Sequence, residues 1–250
     1  MNNYQDQHQV FAAEVVQQTG VQTVSKKFMA NVFMWMFVAL GISAALAFYF
    51  ASNADLLVQY LLKPEGGLNL LGWAVMLAPF GFVMAMSLGF ARLSAPAITA
   101  LFLLYAAING VSFSFILLAY TASSVLGCFL SAAAMFGVMA VMGYTTDKDL
   151  TSFGRILTMG LIGIIIAMLI NFFLKSGTMD YIISIIGVMV FTGLTAYDVQ
   201  KLKRVGAGVE YEGVPAANVK KLAVMGALTL YLDFINIFLF LLRLFGGRRD

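Results

Sequence analysis

Long continuous apolar stretches are the feature that most constrains how this 250-residue chain folds. A helix needs about 20 mostly apolar residues to cross a bilayer core of roughly 30 Å. Seven such stretches are present, at residues 28–50, 70–91, 95–119, 122–143, 155–175, 179–201 and 222–245. A transmembrane barrel would instead show alternating segments of about ten residues. We therefore predict an all-α, polytopic membrane protein that forms a seven-transmembrane-helix bundle.

The composition agrees with this class, because 61% of the residues are hydrophobic and 11% are charged. Connections between the stretches leave no room for an independent domain. We predict a polar N-terminal tail at residues 1–27 and a transmembrane domain at residues 28–250. The tail has no short apolar core of the kind found in cleavable signal peptides, so the first span is expected to direct insertion.

The distribution of basic residues predicts the orientation, since cytoplasmic loops are enriched in Lys and Arg. With the N-terminus in the cytoplasm, ten of the 15 basic residues fall on that side. We therefore expect an integral protein of a bacterial inner membrane with a cytoplasmic N-terminus. No basic run with interleaved aromatics suits nucleic acid, so the bilayer is the expected surrounding partner. A single cysteine, Cys128, excludes an intrachain disulfide.

The two longest connections differ in character. Residues 51–69 carry enough apolar side chains for a short interfacial helix before a break at Pro64, Gly66 and Gly67. Residues 202–221 are glycine-rich and charged, which is typical of a flexible loop. Within the spans, small residues are expected to allow close helix packing, notably at Gly41, Gly110, Gly127, Gly160 and Gly163.

Two acids inside the apolar stretches are the candidate functional residues. A charge at bilayer depth costs on the order of 3 kcal/mol even on lenient insertion scales, so it needs a partner or water. Asp233 lies about 16 Å into the last span at 1.5 Å per residue. Asn236 follows on the same helix face, so this polar stripe is expected to point into the bundle.

Asp198 lies close to the end of the sixth span, shortly before Lys201, Lys203 and Arg204. A pairing with one of these cations at the membrane surface explains it as well as a functional role does. The sixth and seventh spans are consecutive and antiparallel, so Asp198 can also meet Asp233. Two carboxylates that meet in a dry interior cannot both stay ionised and would share a proton. Such a pair is a proton sensor, a cation site, or an acid and base for hydrolysis.

Segments that close the sixth span and fill the seventh, AYDVQKLK and LTLYLDFINIFLFLLRLFG, resemble the Bax inhibitor-1 (transmembrane BAX inhibitor motif) family. The resemblance covers residues 25–247 and implies a seven-helix bundle with the last helix near its centre. In bacterial members it also implies a pH-sensitive calcium leak. The family's paired aspartates correspond to Asp198 and Asp233, and its latch arginine to Arg92. Asn109, Tyr197 and Asn236 are expected to be supporting polar residues.

The leading hypothesis is a calcium leak channel in which the aspartate pair senses protons and forms at most a weak, transient calcium site, because calcium prefers six to eight oxygen ligands. No other cofactor is expected. A second hypothesis is a regulator that binds another membrane protein, such as a quality-control protease, through its N-terminal tail. An intramembrane aspartyl protease is disfavoured because no glycine precedes Asp233 in the required position. We therefore expect no enzyme activity.

Overall fold

The computed structural model describes the backbone of residues 2–211 and 214–249, and the side chains of residues 25–209 and 214–249. The predicted partner-binding role of the tail therefore lies outside the described side chains. The described chain forms eight helices: α1 (Asn2–Ser52), α2 (Ala54–Leu61), α3 (Leu70–Gly89), α4 (Ala95–Ala119), α5 (Ala122–Thr145), α6 (Thr151–Leu174), α7 (Gly177–Tyr211) and α8 (Ala216–Phe245). All except α2 contain a segment long and apolar enough to cross a membrane. The predicted all-α polytopic fold is confirmed.

The first long connection has the predicted form. It contains the short helix α2, followed by a turn in which Gly66 and Gly67 adopt φ angles of 95° and 82°. These left-handed conformations favour glycine, which has no Cβ to clash with the backbone.

The second long connection was predicted as a flexible loop, and this is wrong. Helix α7 continues to Tyr211 and α8 begins at Ala216, so most of residues 202–221 is helical. The glycine content of this segment was misleading, because Gly206 allows close helix packing: a Cβ there would lie only 2.9 Å from Cδ1 of Phe28 on α1. This glycine serves a close contact between helices rather than a turn.

Close packing at small residues is confirmed at only some of the predicted positions. A Cβ at Gly110 of α4 would lie 2.7 Å from the carbonyl oxygen of Ser43 on α1, and one at Gly160 would lie 3.2 Å from Val190. The prediction is wrong for the glycines that face open space: Gly41, Gly127 and Gly163. Sequence spacing alone does not tell which side of a helix meets another helix and which side meets lipid.

Helix α8 lies at the centre of the bundle, as the family resemblance implies. It contacts α1, α4, α5 and α7, and most of its apolar side chains are buried. Helix α7 is also largely enclosed, between α1, α5, α6 and α8. By contrast, α3 and α6 expose most of their apolar surface, which is the arrangement expected of helices that face lipid.

Both ends of the bundle can be defined by the connections that meet there. The α3–α4, α5–α6 and α7–α8 connections lie at one end, which we call the basic end. There the Lys203 ammonium donates a hydrogen bond to the carbonyl of Tyr144, at 2.8 Å, and the Lys221 ammonium lies 4.7 Å from the centre of the Phe90 ring. At the opposite end, Arg243 and Asp180 form an ion pair with a 3.6 Å N–O separation.

Gly143 provides a test of this packing. A Cβ at this position would overlap the carbonyl group of Ala196 on α7. We expect Gly143→Val to lower the free energy of unfolding by about 1–3 kcal/mol, the usual cost of overpacking a tight contact. Gly137→Val on the same helix is the matched control, because Gly137 faces open space. Thermal unfolding in detergent measures both, and equal melting temperatures for the two variants would contradict the α5–α7 contact.

Candidate functional site: the Asp198–Asp233 pair

Asp233 is buried deep in the bundle. It lies on the central helix α8, about 26 Å from the helix start at Ala216 and about 18 Å from its end at Phe245. Only 4% of its surface is exposed. The residues directly before and after it in α8 are apolar, and its acidic neighbour is Asp198 on α7.

The carboxyl groups of Asp198 and Asp233 meet across the α7–α8 interface. The two groups are close enough to affect each other electrostatically, and Asp198 is half-buried. Two carboxylates have no hydrogen to donate, so a hydrogen bond between them requires that one carboxyl group keeps its proton. The structure thus brings together the two acids whose meeting was predicted from helix order.

Two buried oxygen atoms among the described residues have no hydrogen-bond partner: Oδ2 of Asp233 and Oγ1 of Thr192. They belong to α8 and α7, the same two helices that carry the acid pair. Leaving a buried polar atom unpaired costs about 1–3 kcal/mol, and more for a charged group. Such atoms are few in native proteins, and a water molecule, an ion or a proton would satisfy them.

Asp198 does not form the membrane-surface ion pair that was considered as its alternative explanation. Helix α7 continues from Asp198 to Tyr211, about 20 Å further along its axis. Arg204 instead pairs with Asp149, at 2.8 Å, and the Lys203 ammonium is bonded to the Tyr144 carbonyl. Lys201 is exposed and forms no ion pair in the described part of the chain.

A polar cluster joins α7 to the α5–α6 connection directly beyond the acid pair. The buried Gln200 side chain accepts a hydrogen bond from the Leu150 amide, at 2.9 Å, and donates one to the Lys148 carbonyl, at 2.7 Å. Arg204 donates to Asp149 and to Gln200, at 2.8 and 3.0 Å. We call these five residues the α7 clasp. It fixes the basic end of the helix that carries Asp198.

Asp149 keeps its charge throughout the physiological pH range. The hydroxyl and the backbone amide of Thr151, and then Arg204, donate hydrogen bonds to it and hold the pKa of its carboxyl group below the usual range. The contribution of this ionised carboxylate to stability is present above the ordinary carboxyl pKa and is lost only in stronger acid. Asp149 is therefore not a sensor of pH changes near neutrality.

Arg92, the predicted latch, lies in the α3–α4 turn at the basic end and is exposed. No described carboxylate forms an ion pair with it in this conformation. Its latch role stays a prediction. Lys221 on α8 is the buried cation of this region, with 7% of its surface exposed and its ammonium over the Phe90 ring. From the sequence, Lys221 served only as one of the basic residues that predict membrane orientation. Its burial could not be predicted, because it depends on how α8 packs against the α3–α4 turn.

The predicted supporting polar residues have mainly local partners. Asn236 is half-buried and donates to the carbonyl of Leu232 in its own helix, at 2.8 Å. Asn109 is buried and donates to the carbonyl of Tyr105, at 3.1 Å. A Cβ at Gly154 of α6 would overlap the ring of Tyr197, so this ring packs directly against the α6 backbone.

A buried hydroxyl pair near Asp233 was not predicted. The Ser43 and Tyr231 hydroxyls lie 2.8 Å apart, and the Ser43 hydroxyl donates to the carbonyl of Ala106, at 2.7 Å. These contacts join α1, α4 and α8 and satisfy both buried hydroxyl groups. The sequence could have predicted a partner for the Tyr231 hydroxyl, since a tyrosine this deep in a span needs a hydrogen-bond partner.

The oxygen atoms of the pair are the available ligands for a cation. Within the described ranges, no group of three or more His, Cys, Asp or Glu side chains comes together. A calcium ion at Asp198 and Asp233 would therefore need water and backbone carbonyls to complete its six to eight ligands. Such a site fits weak, transient binding rather than storage.

Fold and site together define a class: a polytopic helical membrane protein with two facing carboxyl groups at its central helix. The chain belongs to the Bax inhibitor-1 family, since the model described as "Inhibitor of apoptosis-promoting Bax1" matches residues 25–250. The resemblance inferred from the two aspartate segments is confirmed. This family is not a known family of enzymes.

Its relatives include named and uncharacterized bacterial proteins. The chain is 44% identical over 230 residues to inner membrane protein YbhL of Escherichia coli K12, covering 92% of this chain and 94% of the relative. It is 40% identical over 227 residues to an uncharacterized protein of Rickettsia prowazekii, covering 90% and 91%. A Borreliella burgdorferi protein is 42% identical over 228 residues, covering 91% and 94%.

Gln200 provides a test of the α7 clasp. Gln200→Leu removes the partners of the Leu150 amide and the Lys148 carbonyl, so the α5–α6 connection should come away from α7 more often. We expect trypsin to cleave after Lys148 several-fold faster, and the free energy of unfolding to fall by about 1–3 kcal/mol. The exposed Gln59→Leu is the control. Unchanged cleavage at Lys148 would show that Gln200 does not hold this connection.

Proposed function

We propose that this protein is a pH-sensitive cation leak channel, with calcium as its physiological ion and the Asp198–Asp233 pair as its gate. The meeting of the two carboxyl groups across the α7–α8 interface supports this most directly. The unpartnered Asp233 oxygen supports it further, because a proton, a water molecule or a cation would satisfy it. The named relative YbhL is an inner membrane protein. We place this chain in the same membrane, with its N-terminus in the cytoplasm.

The proposed gate depends on the proton shared by the pair. With the proton present, a hydrogen bond joins α7 to α8 and holds the interface closed. Loss of the proton leaves two negative charges that repel each other in a poorly hydrated interior. Water and a cation then compensate these charges at a lower free-energy cost than the closed helix interface does. Arg92 is the proposed latch, and the protonation state of the pair sets whether the pair holds this arginine and closes the cytoplasmic mouth. Its approach to the pair requires movement of the α3–α4 turn.

Ion flux against pH tests this proposal directly. Wild-type protein in liposomes loaded with a calcium dye should leak calcium at a rate that changes with pH. We expect Asp198→Asn and Asp233→Asn to abolish this pH response, because an amide does not titrate. Asp55→Asn is the matched control, since Asp55 is exposed on α2, away from the pair. An unchanged flux and pH response in both pair variants would refute the gate.

A second experiment separates a cation site from a pure proton sensor. Protons and calcium compete for the same carboxyl oxygens if the ion binds at the pair, and such linkage is reciprocal. The midpoint pH of the flux response should then fall as calcium concentration rises. The midpoint should not move when magnesium replaces calcium at low concentration, because magnesium gives up its water reluctantly. A midpoint independent of calcium would leave the pair as a sensor and exclude it as the ion site.

A further inference from the structure

A cavity of about 280 Å³ lies between α6 and α7 at the basic end, on the side of α7 that faces the α5–α6 connection. Six residues line it: Thr151, Tyr197, Gln200, Lys201, Arg204 and Val205. Two of the six side chains are cations, and three others carry a hydroxyl or an amide. The aspartate pair itself does not line this cavity.

The cavity lies at the depth of lipid head groups. Thr151 is the first residue of α6, and the 24 residues of this helix extend about 36 Å. That length exceeds a hydrocarbon core of roughly 30 Å, so the first turn of α6 reaches the polar region. Just beyond Thr151, Phe153 and Ile156 are exposed on the outer surface of α6. The cavity therefore lies in the polar region of the membrane, on a helix whose outer surface is apolar and faces lipid.

Charges around the cavity favour an anion. Lys201 and Arg204 line it, while the nearest acid at the surface is Asp149, whose carboxylate is bound to Arg204 at 2.8 Å. The other neighbouring acid, Asp198, precedes Lys201 by one helical turn and faces Asp233. Lys201 forms no close ion pair with a described carboxylate, although its charge acts on Asp198 one turn away, so its ammonium group can still contact a ligand.

We propose that this cavity binds the phosphate group of an anionic phospholipid. Lys201 and Arg204 contact the phosphate oxygens, the Thr151 hydroxyl donates a hydrogen bond, and the acyl chains lie along Phe153 and Ile156. A phosphate with acyl chains fits better than a free phosphate ion, because the cavity lies at head-group depth in a bundle whose α6 surface faces lipid. The site is separate from the proposed cation gate and binds a ligand of opposite charge.

Titration of the full-length protein in detergent tests the proposal. The probes are dioctanoyl phosphatidylglycerol, dioctanoyl phosphatidylcholine and inorganic phosphate, and calorimetry measures their affinities. We expect saturable binding of phosphatidylglycerol only. Lys201→Gln should weaken it about fivefold, since one cation near a phosphate is worth roughly that factor. Asp149→Asn should strengthen it, because Arg204 loses its competing carboxylate. A variant that merely disturbs the fold would not increase affinity.

Arg155→Gln is the matched control. Arg155 is also a cation near the start of α6, but it is exposed, bonded to Ser152, and outside the cavity lining. Its loss should leave phosphatidylglycerol affinity unchanged. Equal weakening by Arg155→Gln and Lys201→Gln would overturn the site in favour of general surface attraction. Equal binding of inorganic phosphate would overturn the lipid assignment. These outcomes do not depend on ion flux, so they are distinguishable from failure of the cation gate.

Discussion

The contact between two carboxyl groups at the α7–α8 interface is the constraint on which the rest of this structure depends. A charged side chain at the membrane centre costs on the order of 3 kcal/mol or more, so these groups have to be enclosed and partnered. Helix α8 meets this requirement by lying at the centre, in contact with four other helices. The exposed apolar surfaces of α3 and α6 can then face lipid without placing a carboxyl group there.

Tight backbone contacts determine where α7 presents Asp198. Gly143 of α5 packs against Ala196, and Gly154 of α6 packs against the ring of Tyr197, so both residues directly before Asp198 are fixed by neighbouring helices. The α7 clasp fixes the residues that follow. Protein interiors packed this closely transmit strain instead of absorbing it. In the proposed gate, a change in repulsion between Asp198 and Asp233 would therefore move helices relative to each other, rather than only rotate a side chain.

Energetic cost identified Asp233 from the sequence and chain order allowed it to meet Asp198, but only the family resemblance joined the two as a pair. Asp233 stood out because apolar residues surround it, and antiparallel neighbours bring Asp198 to it. The α7 clasp was not predictable, because residues 202–211 look like a glycine-rich loop until Gly206 is seen against Phe28. Burial of Lys221 and pairing of Ser43 with Tyr231 likewise depend on which helix faces meet. Helical periodicity does not specify those faces when nearly every position is apolar.

Two turns of α7 contain Asp198 of the pair, Gln200 of the α7 clasp, and the two cations that line the cavity, Lys201 and Arg204. Arg204 connects these features, because its guanidinium donates to both Asp149 and Gln200 while it lines the cavity. Any ligand that draws Arg204 away from Asp149 weakens one of the bonds that fix the basic end of α7. Since the same helix positions Asp198, the surface charge at this end and the buried carboxyl pair are mechanically connected through a single rigid element.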